Sequence, residues 1–262
     1  MAAIRLLISM SVIWAAPSLS GAQTWDPITQ WSPATNTTAG RWEYGTSTVF
    51  GGPVTLFEQH AASASPAYDW WSHDAAFNGP VVGFNATGGT LTLTAPIDIV
   101  WPAEAVLVAP GGKGTTPRIS FVRWIAPATG SYNITGHFSD LQAATTDMRI
   151  LNNTAPIFSA AFASSAAHKG DAPFALTNVL VPAGAPIDFA VDSGGNDGND
   201  VLGLVASIRP ADVPEPSAAA VALFVACVAR TSARPRRDRR RCPIRAGTPN
   251  REPRRTTAHP GR

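Results

Sequence analysis

The most regular stretch of the chain, at residues 131–138, reads Ser131-Tyr132-Asn133-Ile134-Thr135-Gly136-His137-Phe138. Successive side chains of a β-strand point to opposite faces, so Tyr132, Ile134 and Phe138 share one face and the polar residues share the other. One apolar face and one polar face indicate a strand that covers a hydrophobic core from one side.

Further short alternating runs lie on both sides of this stretch, with turns that contain Gly and Pro between them. The clearest runs are Leu91–Thr94, Arg118–Trp124, Asp147–Leu151, Phe174–Val181, Ile187–Val191 and Val201–Ile208. Two segments rich in Ala and Ser, Ala61–Ala67 and Ala160–Ala167, lack a clear apolar face and are predicted to be loops. Roughly ten strands at near-regular spacing predict an all-β fold, an antiparallel β-sandwich over residues 23–212.

Composition excludes several classes of protein. Only 15% of the residues are charged, 45% are hydrophobic and there are 8 Trp, which argues against a helical bundle rich in ion pairs and against disorder. The two cysteines, Cys227 and Cys242, lie outside residues 23–212. The predicted sandwich therefore has neither a disulfide nor a thiolate metal site, and its core must stabilise it.

Charge is distributed unevenly along the chain. Residues 23–212 carry 7 basic and 15 acidic residues, a net charge of −8, whereas residues 230–262 carry 12 Arg and two acidic residues, a net charge of +10. The basic region has no aromatic residue that could stack on a base, so we predict no nucleic-acid partner.

The N-terminus has the three parts of a secretory signal peptide. Arg5 supplies the positive charge, Leu6–Ala16 supply the apolar segment, and Ser20-Gly21-Ala22 supply the small residues before a cleavage site at Gln23. We therefore predict a signal helix within residues 1–22 and an exported protein.

The C-terminal region also has three parts in a fixed order. The motif Pro214-Glu215-Pro216 precedes an apolar run, Ala218–Ala229, which predicts a short membrane helix. An arginine cluster follows and is expected on the cytoplasmic side of the membrane. Its members are Arg230, Arg234, Arg236, Arg237, Arg239, Arg240 and Arg241.

Residues 213–241 resemble the PEP-CTERM sorting signal of bacterial exosortase substrates. The resemblance implies export by the secretion machinery, transient anchoring in the inner membrane, processing near the motif by an exosortase, and a final place at the cell surface or in the extracellular matrix. Residues 242–262 are rich in Pro, Arg and Thr and have no counterpart in that pattern. They are predicted to be a disordered basic extension, either a true cytoplasmic tail or a product of read-through or gene-model error.

The sandwich region carries a second resemblance. Its pieces are, in order, Trp42-Glu43-Tyr44-Gly45, Val122–Pro127, Gly130-Ser131-Tyr132, Thr145-Thr146-Asp147, Pro182-Ala183-Gly184, Ile187–Val191 and Gly194-Gly195-Asn196. This order resembles the jelly-roll domain of PEP-CTERM proteins from planctomycete-type bacteria, a domain similar to carbohydrate-binding modules. The resemblance implies a jelly-roll sandwich and a polysaccharide partner, and it supplies no catalytic residues.

The strongest candidate for a binding site is the segment Tyr68-Asp69-Trp70-Trp71-Ser72-His73-Asp74. Its candidate glycan contacts are Tyr68, Asp69, Trp70, Trp71, His73 and Asp74. Aromatic rings can pack on the C–H face of a sugar while the polar groups bind its hydroxyls. The alternative is that these aromatic residues belong to the core. Adjacent Trp70 and Trp71 cannot both face inward on a strand, so at least one must be exposed or covered by a loop.

A second candidate is the Gly-rich loop at residues 192–200. Asp192, Asn196, Asp197 and Asp200 offer the oxygen ligands that Ca²⁺ prefers. A polar hairpin turn without a metal is the alternative. No other cofactor is predicted.

Signals for catalysis are weak, since the sequence has neither a Gly-x-Ser-x-Gly elbow nor a His-x-x-x-His pair. We therefore predict an exported, non-catalytic protein that binds polysaccharide. A purely structural or adhesive surface protein without a ligand is the second hypothesis. A glycan-cleaving enzyme that uses Asp69 and Asp74 is the third, because glycoside hydrolysis needs two carboxyl groups.

Overall fold

The structure is a computed structural model that describes residues 23–36, 41–77, 79–94, 98–111, 119–142, 144–163, 170–194 and 200–211. The chain divides into two units, Met1–Asp212 and Val213–Arg262, and every described residue belongs to the first. The predicted signal helix, sorting signal and C-terminal extension lie outside the described residues. The described part contains no α-helix, and thus none long and apolar enough to cross a membrane.

The described residues form strands that pair antiparallel throughout. The strands are β1 (Trp42–Ser47), β2 (Val54–Leu56), β3 (Gln59–Ala64), β4 (Ala67–Ser72), β5 (Val81–Asn85), β6 (Leu91–Leu93), β7 (Ile99–Trp101), β8 (Val106–Ala109), β9 (Ile119–Ile125), β10 (Gly130–Asp140), β11 (Asp147–Asn152), β12 (Ala155–Ala161), β13 (Asp171–Val181), β14 (Pro186–Asp192) and β15 (Leu202–Pro210). The six-stranded sheet has the order β12-β11-β14-β9-β1-β2, the seven-stranded sheet has the order β13-β10-β15-β8-β5-β4-β3, and β6 and β7 form a hairpin. The predicted all-β, antiparallel fold is confirmed.

The predicted strands are all present, but the loop prediction is wrong for most of Ala61–Ala67 and for the first two residues of Ala160–Ala167, of which residues 164–167 lie outside the described residues. Ala61–Ala64 belong to β3, and Ala160 and Ala161 end β12. Small side chains give little contrast between two faces, so the sequence pattern is weak there. The strand conformation of β3 comes instead from its backbone pairing with β4, which places Ala61 beside Trp70.

The main hydrophobic core lies between the two large sheets, which makes the described body a β-sandwich. It contains Tyr132, Ile134 and Phe138 of β10, as the alternation at residues 131–138 predicts. The Trp124 ring of β9 packs edge-on against Tyr132, with centroids 4.9 Å apart, and against Trp25 at 5.1 Å. These contacts join the two sheets and the N-terminal segment, whose Trp25 pairs with Ile208 of β15.

A second hydrophobic core lies on the outer face of the seven-stranded sheet. The β6–β7 hairpin covers this face, and its Ile99 and Trp101 pack with Trp70, Val81 and Leu107. Strands β4, β5 and β8 are therefore buried on both faces. This explains why β5 and β8 are short, almost continuous apolar runs without the alternation of β10, whereas β4 also contains Asp69 and Ser72.

Gly136 of β10 occupies a backbone position that a larger residue would strain. Its φ is +152°, and a Cβ there would collide with the Val205 carbonyl oxygen and the Phe174 ring. We expect Gly136→Ala to lower the free energy of unfolding by about 2 kcal/mol or more, measured by chemical denaturation. Gly89→Ala is the matched control, since a Cβ at Gly89 meets open space. Equal effects of the two changes would contradict the prediction.

Candidate functional site

The predicted glycan-contact segment is divided between the two faces of β4. Trp71 belongs to the main core, whereas Trp70 belongs to the second core, so the two adjacent indoles point to opposite sides. The expectation that one of them is covered from outside is correct. Trp70 is only 9% exposed and Trp71 only 5% exposed, so neither offers a free ring face to a sugar.

The polar residues of the segment also separate. The Asp69 carboxylate lies 4.0 Å from His60 Nε2. His73 Nε2 lies 3.0 Å from the Thr46 hydroxyl oxygen, across the sandwich. Asp74 lies in the exposed turn after β4, where its carboxylate accepts a hydrogen bond from a backbone N–H at 3.0 Å. The six predicted residues therefore do not converge on one site.

Four aromatic rings do converge on the outer face of the seven-stranded sheet. We call this cluster the aromatic patch, and its members are Tyr68, Trp70, Phe77 and Trp101. The Tyr68 centroid lies 5.0 Å from that of Phe77 and 5.3 Å from that of Trp70. The Phe77 and Trp101 rings are nearly parallel, at 16° and 6.5 Å. Trp70 and Trp101 are buried, whereas Tyr68 and Phe77 are half-buried.

Hydrogen bonds fix the buried rings of the patch. Trp101 Nε1–H donates to the Ala105 carbonyl at 2.8 Å, and Trp70 Nε1–H donates to the Ala75 carbonyl at 3.2 Å. The Asn85 side-chain amide donates to the Trp101 carbonyl at 2.8 Å and so ties β7 to β5. Because a buried indole N–H needs an acceptor, these bonds favour one orientation for each ring. The two half-buried rings therefore rest on a fixed base.

Polar side chains of β3 lie beside the patch. Ser63 pairs with Tyr68, and Gln59 pairs with Ser72 further along the same strands. Side chains directly opposite each other on neighbouring strands lie about 5 Å apart on the same face. The Ser63 hydroxyl thus lies beside Tyr68, and Gln59 lies on the same face, one pair beyond Ala61 and Trp70. Such polar groups beside aromatic rings suit the binding of a sugar.

The sequence indicated only half of the patch. Tyr68 and Trp70 lie in the predicted segment, but Phe77 follows it by a turn and Trp101 comes from the β6–β7 hairpin. Nothing in the short apolar run Ile99–Trp101 indicated where it would pack. Only the tertiary structure brings the hairpin onto β4.

Two of the four predicted calcium ligands, Asp192 and Asp200, lie in the described residues. Asp192 ends β14 and is buried, and the Asp200 carboxylate accepts a hydrogen bond from Thr145 N–H at 2.9 Å. Asn196 and Asp197 lie outside the described residues. Among the described residues, no group of three or more His, Cys, Asp or Glu could hold a metal ion.

A row of charged side chains crosses the outer face of the six-stranded sheet. Arg123 of β9 lies between Glu43 of β1 and Asp188 of β14 in the strand register. Arg123 donates two hydrogen bonds to the Asp188 carboxylate, from Nε at 2.6 Å and from a terminal nitrogen at 2.8 Å. The Arg123 side chain is 17% exposed and that of Asp188 is 6% exposed. This two-point geometry is the strongest form of an ion pair.

Burial is the largest influence on the pKa of both partners. It raises the pKa of Asp188 above its ordinary value, although the Arg123 guanidinium opposes that effect. Burial lowers the pKa of Arg123, but the hydrogen bond and charge of Asp188, together with the charge of Glu43, outweigh it and leave the pKa raised. Arg123 therefore remains a permanent cation. The pair is a structural link between β9 and β14.

The chain itself covers the centre of this outer face. Phe50, from the segment between β1 and β2, packs on Ile119, Phe121 and Ala190. The Arg149 guanidinium lies over the Phe50 ring, 4.2 Å from its centroid. A segment of the chain therefore covers part of this face, as the β6–β7 hairpin covers part of the opposite one.

Comparisons with known proteins add little to the identity of the chain. No family model and no curated protein matches it. A family 35 carbohydrate binding module from Clostridium thermocellum is 20% identical, with a TM-score of 0.25 over 40% of this chain and 87% of that one. CBM35 from Paenibacillus barcinonensis is 10% identical, with a TM-score of 0.27 over 72% of this chain and 99% of that one.

A third similar structure is the GH26-CBM35 β-(1,4)-mannanase of Podospora anserina. It is 18% identical, with a TM-score of 0.27 over 49% of this chain, and the chain spans only 26% of its length. TM-scores this low establish neither a shared fold nor a shared function.

The ion pair predicts a non-additive pair of substitutions. Asp188→Leu leaves the Arg123 guanidinium without its main partner, so we expect it to destabilise the fold by about 3 kcal/mol. Adding Arg123→Met should restore much of that loss, because two apolar side chains need no hydration. Denaturation of the two single variants and the double variant measures the coupling. Strictly additive losses would show that the pair has no such role.

Proposed function

We propose that the chain is an exported, non-catalytic, jelly-roll-like β-sandwich that binds polysaccharide through the aromatic patch. The observation that carries the proposal is the pair of half-buried rings, Tyr68 and Phe77, on a base of buried indoles. The C–H face of a pyranose packs on such a surface, and the fixed base reduces the entropy lost on binding.

The neighbouring polar groups favour a neutral polysaccharide. Ser63 and Gln59 supply a hydroxyl and an amide, which pair with sugar hydroxyls without requiring charge. Residues 23–212 carry a net charge of −8, which disfavours a polyanionic chain through long-range repulsion. The ligand class that fits the patch best is therefore a neutral polymer of hexose or pentose.

The proposal assigns no catalysis, since the two carboxylates of the predicted segment lie apart. Asp69 lies beside His60, and Asp74 lies in the turn after β4. The second hypothesis, a structural or adhesive protein without a ligand, shares the same fold and becomes the better one if the patch binds no glycan.

Export and sorting complete the proposal and rest on the sequence. We propose that residues 1–22 direct secretion, that residues 213–241 act as an exosortase sorting signal with a transient membrane helix, and that the body remains at the cell surface or in the extracellular matrix. The charge difference between the body and the arginine-rich end is consistent with that topology.

Tyr68→Ala and Phe77→Ala should each weaken glycan binding by about tenfold, since one stacked ring contributes roughly 1 kcal/mol beyond its buried area. Binding is measured by affinity electrophoresis in soluble β-glucan, xylan and galactomannan, with alginate as the polyanionic comparison. Tryptophan fluorescence should also change on binding because Trp70 and Trp101 lie under the site. Phe50→Ala, a half-buried ring on the other sheet, is the matched control.

Two outcomes would contradict this site. If none of the four polymers retards the protein, the chain does not bind these glycans, and the hypothesis of a structural protein without a ligand is favoured. A loss with Phe50→Ala equal to that with Tyr68→Ala would place the binding surface elsewhere.

Intact mass of the protein recovered from the native cell surface tests the two ends. We expect loss of residues 1–22 together with a cut near Pro214–Ser217, which removes the arginine cluster. A recovered protein that retains Arg230–Arg262 would reject processing at the motif. It would leave the binding proposal for the body unaffected.

A further inference from the structure

The two large sheets of the sandwich end in four edge strands. These are β2 and β12 in the six-stranded sheet and β3 and β13 in the seven-stranded sheet. An edge strand presents backbone N–H and C=O groups that lack a strand partner on one side. Proteins normally protect such edges with short length, Pro, charge or a bulge.

Three of the four edges carry such protection. β2 has only three residues. β12 contains Pro156 and has a register shift opposite Ile150 and Leu151. β13 contains Pro173, has a register shift against β10, and has Asn178 at a φ of 55°. None of these three strands offers a long, regular edge to a further strand.

β3 lacks every one of these devices. It runs for six residues, Gln59–Ala64, and all six pair with β4 without a register shift. The strand contains no Pro and no Asp, Glu, Lys or Arg. The side chains after His60 are small, so they would not hinder the approach of another strand. Among the described residues its outer edge has no strand partner, so it is the regular pairing surface that the other three edges avoid.

We propose that β3 pairs antiparallel with β3 of a second copy of this chain. The pairing joins two seven-stranded sheets into one continuous sheet across a two-fold axis. A second copy fits this edge because the strand is uncharged, so two identical strands meet without like-charge repulsion. A two-fold axis perpendicular to the sheet keeps each side chain on the same face of the sheet. The axis therefore passes between two copies of one residue, and the residues nearest the middle of β3 are Ala61 and Ala62.

Self-pairing would also affect glycan binding, and this effect, unlike the pairing itself, rests on the proposed function. The perpendicular two-fold axis leaves both copies of the aromatic patch on the same face of the joined sheet. Each Tyr68 lies one strand inside its β3 and pairs with Ser63. The two tyrosines are therefore three strand spacings apart across the sheet and two or four residues apart along it, about 16–20 Å in all. Two patches at that distance can bind one polysaccharide chain together and increase its apparent affinity.

Cysteine cross-linking tests the pairing directly. Full-length chain with Cys227→Ser and Cys242→Ser is prepared in mild detergent with one added change, Ala61→Cys or Ala62→Cys, and is oxidised with a copper–phenanthroline catalyst. Paired strands hold directly opposed Cα atoms within the range that a disulfide spans. We expect a disulfide-linked dimer from one of these variants. Thr177→Cys, at an exposed position of the protected edge β13, should stay monomeric.

A charge variant gives an independent readout of the same edge. Ala62→Lys places two ammonium groups near the two-fold axis, so the dimer fraction measured by size-exclusion chromatography with light scattering should be lost. Thr177→Lys should leave it unchanged. Absence of cross-linking at both Ala61 and Ala62, or equal cross-linking at Thr177, would overturn the proposal. Tyr68→Ala should keep the dimer, so failure of glycan binding and failure of self-pairing can be told apart.

Discussion

The packing of Trp124 against Tyr132 and Trp25 is the interaction on which the rest of the sandwich depends. It joins the six-stranded sheet, the seven-stranded sheet and the N-terminal segment in one contact, with ring centroids 4.9 Å and 5.1 Å apart. Residues 23–212 contain no cysteine, so no disulfide can restrict the unfolded chain. Burial of large side chains between the sheets must therefore supply the stability.

A second layer of packing creates the candidate binding surface. The β6–β7 hairpin covers β4, β5 and β8 from outside, and it thereby turns Trp70 and Trp101 into the base of the aromatic patch. The six-stranded sheet uses a different cover, the segment that carries Phe50 over Ile119 and Phe121. Both outer faces are thus partly closed by the chain itself, and the half-buried rings of Tyr68 and Phe77 lie at the boundary of one closed region.

Particular elements show how far local pattern predicts this structure. β10 is amphipathic, so its alternation revealed both its strand and its buried face. β5 and β8 have almost no polar side chains, so alternation was absent and they were not among the predicted strands. β3 was predicted to be a loop because Ala and Ser carry little hydrophobic contrast, and its order comes from hydrogen bonds to β4 instead. Trp70 and Trp71 were correctly expected on opposite faces, but the burial of Trp70 depends on the β6–β7 hairpin, which comes from a distant part of the chain.

The sequence by itself determined the all-β class, the approximate positions of the amphipathic strands and the absence of a disulfide in the body, because periodicity and composition are local properties. Only the tertiary structure decided which aromatic residues meet. Phe77 and Trp101 join Tyr68 and Trp70 because the hairpin folds back over the sheet, and the six predicted glycan contacts separate because one strand faces two cores. Contacts between distant segments depend on which faces remain to be buried once the sheets have formed, and no local pattern contains that information.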